Sequence, residues 1–325
     1  RAMPLERLTM AVINRDGIAT IVVPELEAPR VELLPGVFEI RPWAETEDPI
    51  AIVADLAAHP RRVMIGDQTW AVFLLGLQRR LTGAEFLSAR SLTEALRVVK
   101  EPAEIELLRR AGASADTVAG LLADQHFTGK TELQVSRQVG ALLEANGTDA
   151  AGFAIVASGP NGASPHHEPG DRVIREGDAI VIDFGGTVGG YHSDTTRMFH
   201  VGEPSPRYLE AHQVVFAAQE AAVAVVRPGV SAESIDAAAR RVIADAGYGE
   251  LFIHRTGHGI GLDGHEDPYI VAGNRQEISP GMAFSIEPGV YLPGDFGVRI
   301  EDIVVCTDTG VERLNTSPRQ VAIVG

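Results

Sequence analysis

Apolar positions along this chain change period from segment to segment, and the changes divide it into strands and helices. Runs at Leu8–Ile13 and Ile18–Val23 alternate like strands about the turn signal Arg15-Asp16-Gly17, which predicts a hairpin. Helical spacing follows at Pro49–Ala58, a strand at Val63–Ile65, a helix at Trp70–Leu81 and a short strand at Glu85–Leu87. This alternation predicts a small α/β domain. Near Val98–Pro102 the character changes. Lys100-Glu101-Pro102 introduces a long helix from Ala103 to about Gln125, with proline in the first turn, where its missing N–H has no partner. A domain boundary placed here divides the chain into residues 1–98 and 99–325. Thr131-Glu132-Leu133-Gln134 reads as the capping box of a second helix that stops at Asn146-Gly147. Strand-like runs come next at Phe153–Ala157, Ala179–Phe184 and Tyr191–Phe199.

The order then repeats. Tyr208–Val226 and Ser231–Ala246 read as two helices, the second ended by Gly247, with strand-like runs at Leu251–Arg255, Met282–Glu287 and Val298–Val305. The first half delivers Asp183 and Asp194 on its strands; the second delivers Glu287 and Glu301. Each half also carries histidines in between, His166 and His167 in one, His258 and His265 in the other. An internal pseudo-twofold follows.

The patterning raises a question of charge. Asp183 directly follows Ala179-Ile180-Val181-Ile182, where an unpaired carboxylate costs several kcal/mol or more. One reading has Asp183 capping a turn at Gly185-Gly186 and Asp194 pairing with Arg197; the other has both ligating metal. Four carboxylates converging in an apolar interior carry a charge near −4, which two divalent cations would cancel. His258, flanked by glycines in Thr256-Gly257-His258-Gly259-Ile260-Gly261, supplies an imidazole beside them. An oxygen-rich set with one imidazole suits Mn(II), with Co(II), Zn(II) or Fe(II) as substitutes.

Composition narrows the field. The 325 residues are 45% apolar, enough for a sizeable core, and no apolar run is long enough to span a bilayer, so no membrane partner is expected. A formal net charge of −16 argues against nucleic acid. The single Cys306 lies beside the apolar run Ile303–Val305, reads as a small core residue, and fits a reducing, cytoplasmic setting.

Asp183 in IDFGG, Asp194 in HSDTTR, His258 in GHGIGL, Glu287 in SIEPGVY and Glu301 in VRIED resemble, in order, the five metal ligands of the creatinase, aminopeptidase P and prolidase family. The similarity runs from about Val98 to the end of the chain and looks most like bacterial and archaeal Xaa-Pro dipeptidases. It implies an α+β pita-bread catalytic domain, a pseudo-twofold curved antiparallel sheet with covering helices, behind a smaller α/β creatinase-type N-terminal domain. It implies that Asp183 chelates one metal, that His258 and Glu287 hold the other, that Asp194 and Glu301 bridge them, and that a metal-bridging hydroxide attacks the peptide bond before proline. Glu287 resembles the family's proton shuttle; His166 and His265 resemble the pair that line the pocket and stabilise the tetrahedral intermediate. His167 reads as a surface neighbour, and Glu266-Asp267-Pro268 after His265 as a loop.

Arg299 and Glu301, two residues apart on one expected strand, face the same way. Arg299 either neutralises the carboxylates or holds a substrate carboxylate. Tyr191 either hydrogen-bonds a ligand carboxylate or packs as an ordinary strand residue. The resemblance implies short proline-containing peptides as substrates and a homodimer. It also implies that the chain starts part-way into its N-terminal domain, since members carry several dozen residues ahead of the segment corresponding to Arg1–Ile13. Dipeptidase and aminopeptidase both stay open, with methionine aminopeptidase-like activity or a non-catalytic peptide-binding pita-bread protein as the alternatives. Creatinase, which lacks the full metal set, is disfavoured by the five ligands.

Overall fold

A computed structural model describes residues 6–325; residues 1–5, where the expected first domain begins, lie outside the described residues. The chain forms two compact units, one through Thr93 and one from Glu94 onward.

In the first unit, β1 (Met10–Ile13) and β2 (Ala19–Pro24) form the expected antiparallel hairpin. Asn14 closes its turn by accepting the amides of Asp16 and Ile18, and Gly17 supplies a φ of 80°. β3 (Glu39–Trp43), absent from the periodicity because Pro42 interrupts it, pairs parallel to β2. Then come α1 (Pro49–Leu56), capped by Asp48, β4 (Arg62–Ile65), α2 (Ala71–Arg80) and β5 (Glu85–Ser88), with β4 and β5 parallel. Leu8, Val22, Trp43, Val53 and Leu77 make its core. Helix α3 (Arg90–Arg97), also not expected, runs across the division at Thr93.

The second unit opens with α4 (Pro102–Ala123), carrying Pro102 in its first turn, and α5 (Glu132–Ala145), whose Thr131–Gln134 capping box has both reciprocal bonds in place. β6 (Ala150–Ser158), β7 (Ala179–Val188), β8 (Tyr191–His192) and β9 (Thr195–Val201) follow. The second half repeats the plan with α6 (Pro206–Val225), α7 (Ala232–Asp245), β10 (Gly257–Gly259), β11 (Glu266–Ile270) and β12 (Ala283–Ile286). The chain continues through β13 (Gly289–Leu292), β14 (Phe296–Arg299), β15 (Asp302–Cys306), β16 (Val311–Arg313) and β17 (Ala322–Val324).

One sheet runs β17-β9-β7-β6 and the other β11-β10-β12-β15-β16. β7 lies antiparallel between β6 and β9, and β12 antiparallel between β10 and β15, so these three strands of each half correspond. Even the helix starts agree: Thr131 bridges Val173, and Ser231 bridges Glu277. Gly147 and Gly247, after α5 and α7, both take the positive φ that ends a helix, 99° and 86°. The sole parallel pairing among the described strands of this unit is β17 with β9. Each half packs its helices on one sheet face, α4 and α5 over residues such as Ile180, Ile182 and Phe199, and α6 and α7 over Phe284, Ile286 and Val304. Among the described residues no helix is long and apolar enough to cross a membrane.

Some expected elements differ. Leu251–Arg255 is not a strand: a 3-10 turn at Gly249–Leu251 leads into irregular chain, held by Arg240, which donates to the carbonyls of Phe252 and His254. Glu266-Asp267-Pro268 is not a loop but the start of β11, an edge strand, where proline is tolerated. Gly185-Gly186 is not the turn; both lie within β7, where a Cβ on Gly185 would collide with the Ser193 carbonyl, and the chain reverses at Gly189-Gly190. Tyr191–Phe199 and Val298–Val305 are each broken, the first at Ser193-Asp194 and the second at Ile300-Glu301. Arg299 and Glu301 therefore do not share a strand.

Candidate metal centre

The two strand breaks explain how four carboxylates meet. Asp183 projects from mid-β7, opposite Ile155 and Thr196, and Glu287 stands one residue beyond β12, the corresponding strand. Asp194 and Glu301 occupy the breaks ahead of β9 and β15, also corresponding strands, and the Glu301 amide donates to the Thr196 carbonyl at 3.4 Å where the two sheets meet. His258 is the middle residue of β10; its amide donates to the Ser285 hydroxyl at 3.0 Å.

Ligand atoms of Asp183, Asp194 and Glu301 lie within 4.8 Å of one another, as do those of His258, Glu287 and Glu301, so Glu301 belongs to both triads. A third such group joins Asp194, His258 and His265. The ring Nδ1 of His258 lies 3.0 Å from the Gly259 carbonyl and must donate to it, which leaves the Nε2 lone pair facing Asp194 at 3.6 Å and Glu287 at 3.4 Å. Asp183 Oδ1 and Glu301 Oε1 are buried without a hydrogen-bond partner. Buried, unpaired carboxylate oxygens are costly, and aimed into a cluster of this composition they fit a hard divalent cation.

Electrostatics agree. Burial, then repulsion from Glu301 and Asp183, drives the Asp194 carboxyl well above its usual range. Burial and the charges of Glu287 and Asp183 do the same to Glu301. Burial lifts Glu287 to about 7 against the opposing pull of Arg299. His258 goes the other way, to about 3, because burial and neighbouring His265 disfavour an imidazolium. A neutral imidazole is what a metal ligand requires.

Four of the five N–H groups of Arg299 are engaged: it donates to Asp183 Oδ2 at 2.6 Å, Thr196 Oγ1 at 3.0 Å, Tyr291 Oη at 2.9 Å and the Pro165 carbonyl at 3.4 Å. Thr196 in turn donates to Glu301 Oε2 at 2.7 Å, and Tyr291 to His254 Nε2 at 2.8 Å. Arg197 does not pair with Asp194; it binds Asp302 at 2.7 Å and the Glu301 carbonyl at 2.6 Å.

Asp183, Asp194, His258, Glu287, Arg299 and Glu301 line a cavity of about 420 Å³, together with His166, His265, His254, Arg255 and the apolar Phe153, Ile155 and Pro165. The rings of His265 and His258 lie 3.7 Å apart between centroids, tilted by 31°. Arg255 donates to His265 Nδ1 at 3.2 Å, so the proton of the neutral ring resides on Nε2. Tyr191 does not line the cavity; its hydroxyl donates to Glu104 at 2.5 Å. His167 is no surface neighbour, since its ring meets buried Glu132 at 2.7 Å. His254 and Arg255 line the cavity and Tyr291 stands behind it on His254 and Arg299, and the periodicity singles out none of the three; the signal for the first two is a pair of polar residues closing an apolar run just before Gly257-His258-Gly259.

Close approach of backbone is a condition of the site. A Cβ on Gly257 would run into the Ser285 carbonyl across the β10–β12 pairing. Gly257→Ala is expected to cost about 1–3 kcal/mol of stability and to weaken metal binding by shifting His258, both read from thermal unfolding and a metal titration.

The comparisons with known proteins point the same way. Residues 106–308 match metallopeptidase family M24, and residues 3–99 match the creatinase/prolidase N-terminal domain. The chain is 44% identical over 329 aligned positions to the probable dipeptidase PepE of Mycobacterium tuberculosis, covering 100% of this chain and 88% of that protein. It is 35% identical to the Xaa-Pro dipeptidase of Lactobacillus helveticus, covering 99% of this chain and 89% of that one. The crystal structure of a dipeptidase from Pyrococcus horikoshii superposes with a TM-score of 0.93 at 38% identity, covering 98% of this chain and 89% of that one.

Proposed function

Since this chain belongs to metallopeptidase family M24 and is a peptide-bond hydrolase, we propose that it is an Xaa-Pro dipeptidase with a dinuclear centre suited to Mn(II). The observation that carries this reading is the buried set of four carboxylates and one imidazole with two unpartnered oxygens, Asp183 Oδ1 and Glu301 Oε1, at the floor of the cavity. Asp183 would hold one cation, His258 and Glu287 the other, and Asp194 and Glu301 would be shared. When bound, such a pair acidifies water and polarises the scissile carbonyl.

The chain's own groups do the rest. Glu287 Oε1, which accepts from the Ser285 hydroxyl at 3.2 Å, takes the proton of the attacking water and returns it to the departing proline nitrogen. His265, with its proton on Nε2, and His166 from the opposite segment donate to the oxygen on which charge develops. Arg299, with four of its five N–H groups on Asp183, Thr196, Tyr291 and Pro165, serves chiefly to neutralise the cluster. The same reading makes the enzyme a cytoplasmic homodimer acting on short peptides, on the family resemblance and the lone buried cysteine.

Arg255 supports a dipeptidase. It lines the cavity, stacks over Tyr269 at 4.4 Å and, among the described residues, forms no ion pair with a carboxylate, so its guanidinium is available to the free C-terminal carboxylate of a dipeptide. On Mn(II)-loaded enzyme, Ala-Pro is expected to turn over faster than Ala-Pro-Ala or Met-Ala-Ser. Preference for the tripeptide would establish an aminopeptidase, and preference for Met-Ala-Ser the methionine-specific alternative. Arg255→Leu is expected to raise KM for Ala-Pro by roughly 10–100-fold, the worth of one charge-assisted hydrogen bond, but not KM for Ala-Pro amide, while kcat falls alike on both through the lost contact with His265. Equal effects on the two KM values would remove Arg255 from carboxylate binding.

A further inference from the structure

Behind His166 lies a buried carboxylate that the reaction does not use. Glu132, at the start of α5, is fully buried. Its Oε1 accepts from the amide and hydroxyl of Ser158, at 2.8 and 2.7 Å, and from Asn161 at 3.0 Å. Its Oε2 faces His167 Nε2 at 2.7 Å. Burial would raise this carboxyl, yet the hydrogen bonds from Ser158, His167 and Asn161 hold it below its usual value, so it is an anion and His167 Nε2–H must be the donor.

Among the described residues, no hydrogen bond holds the ring of His166 itself. Its place in the cavity is inherited from its neighbours: the Pro165 carbonyl is bound by Arg299, and His167 by Glu132. The other half of the molecule uses the same device. Asp236, buried on α7, accepts from the amide and hydroxyl of Thr256, at 3.2 and 2.7 Å, with Arg240 as its cation at 2.7 Å. There a helix-borne carboxylate fixes the segment that carries His258; in the first half a carboxylate at a different position, the first residue of α5 rather than the fifth residue of the helix, fixes the segment that carries His166.

We propose that Glu132 and His167 are positioning residues that hold His166 at the reacting carbonyl. This rests on the peptidase reading above, in which His166 donates to the substrate oxygen. Misplacing such a donor by a fraction of its hydrogen-bond length removes most of its effect on turnover without touching the metal.

The test is a cycle on the Mn(II)-loaded enzyme with Ala-Pro. His167→Ala is expected to lower kcat roughly 10–100-fold with KM and bound metal unchanged, and His167→Gln, which keeps an N–H donor, to recover most of the loss. In a His166→Ala background the same His167→Ala change is expected to cost less than twofold. An unchanged kcat, an equal loss without His166, or failure of His167→Gln to rescue would each overturn the proposal. Should His167→Ala fail to fold, Glu132→Gln runs the same cycle from the other partner. Imidazole nitrogen NMR separates the two layers of inference: the His166 ring signals are expected to move in His167→Ala, and unmoved signals overturn the positioning role whatever the activity. Moved signals in an enzyme whose wild type does not cleave Ala-Pro would instead overturn the functional reading alone.

Discussion

Asp194→Asn is expected to release metal and to lower Xaa-Pro hydrolysis together, the latter on the order of a thousandfold, since a cation polarising the carbonyl supplies several kcal/mol of transition-state stabilisation. The position leaves little room for compensation. Asp194 is buried, lies 3.6 Å from His258 Nε2, and shares a ligand cluster with Asp183 and Glu301. An amide offers one neutral oxygen in place of a charged pair, so the charge balance of the centre shifts by one and the shared position is lost. Metal analysis after dialysis and kcat on Ala-Pro read the two losses side by side. Normal metal content with a normal rate would remove Asp194 from the centre. Stripping the wild type with a chelator should reproduce the loss, and Mn(II) should reverse it in the wild type but not in the variant.

The parts of this fold that are legible in the sequence are those decided locally. α4 and α5 announce themselves through Pro102, the Thr131–Gln134 capping box and Gly147, each of which satisfies or ends a helix by its own chemistry. β10 does not: Gly-His-Gly has poor strand propensity, and it becomes a strand because Phe284 and Ile270 pair with it from far along the chain. β3, interrupted by Pro42, is likewise fixed by its partner β2.

The candidate site divides in the same way. Asp183, Asp194, Glu287 and Glu301 stand out because a carboxylate within or beside an apolar run needs a reason to be there. His254, Tyr291 and Thr196 belong to the site through hydrogen bonds to Arg299 or to each other, which no spacing along the chain encodes. Tyr191 is the converse, a tyrosine close to Asp194 in sequence whose hydroxyl is turned away to Glu104. Breaks in the two strands matter most. Read as continuous, Val298–Val305 would put Arg299 and Glu301 on one face; the strand breaks at Ile300-Glu301, yet both side chains meet the Thr196 hydroxyl of the opposite sheet and line the same cavity.

The metal-free enzyme is expected to lose stability as pH rises from about 6.5 to 8.5, and saturating Mn(II) to abolish the loss. Burial holds the carboxyls of Asp194 and Glu301 well above their ordinary values, and Glu287 at about 7. A folded-state value above the unfolded one means the native state keeps protons that the unfolded chain has released. Stability from such groups is complete below the unfolded value and is lost as pH climbs toward the folded value. Each group still protonated in the fold contributes about 1.4 kcal/mol per pH unit to that decline. Below about 6.5 a second set opposes it: His258 at about 3, His254 at about 4 and the lowered His265 stay neutral in the fold while the unfolded chain protonates them, so their penalty grows as pH falls. Above 6.5 those histidines are neutral in both states and the carboxylates act alone. Cations take the place of the retained protons, which is why metal should flatten the upper limb. Asp194→Asn should flatten it too, in the metal-free protein, so a variant that has lost its activity would be more stable at pH 8 than the stripped wild type by a few kcal/mol. Chemical denaturation midpoints across the pH series read both effects, and a wild-type midpoint that stays level or rises from 6.5 to 8.5 without metal would show that the four carboxylates are not the strained cluster that the unpartnered oxygens of Asp183 and Glu301 describe.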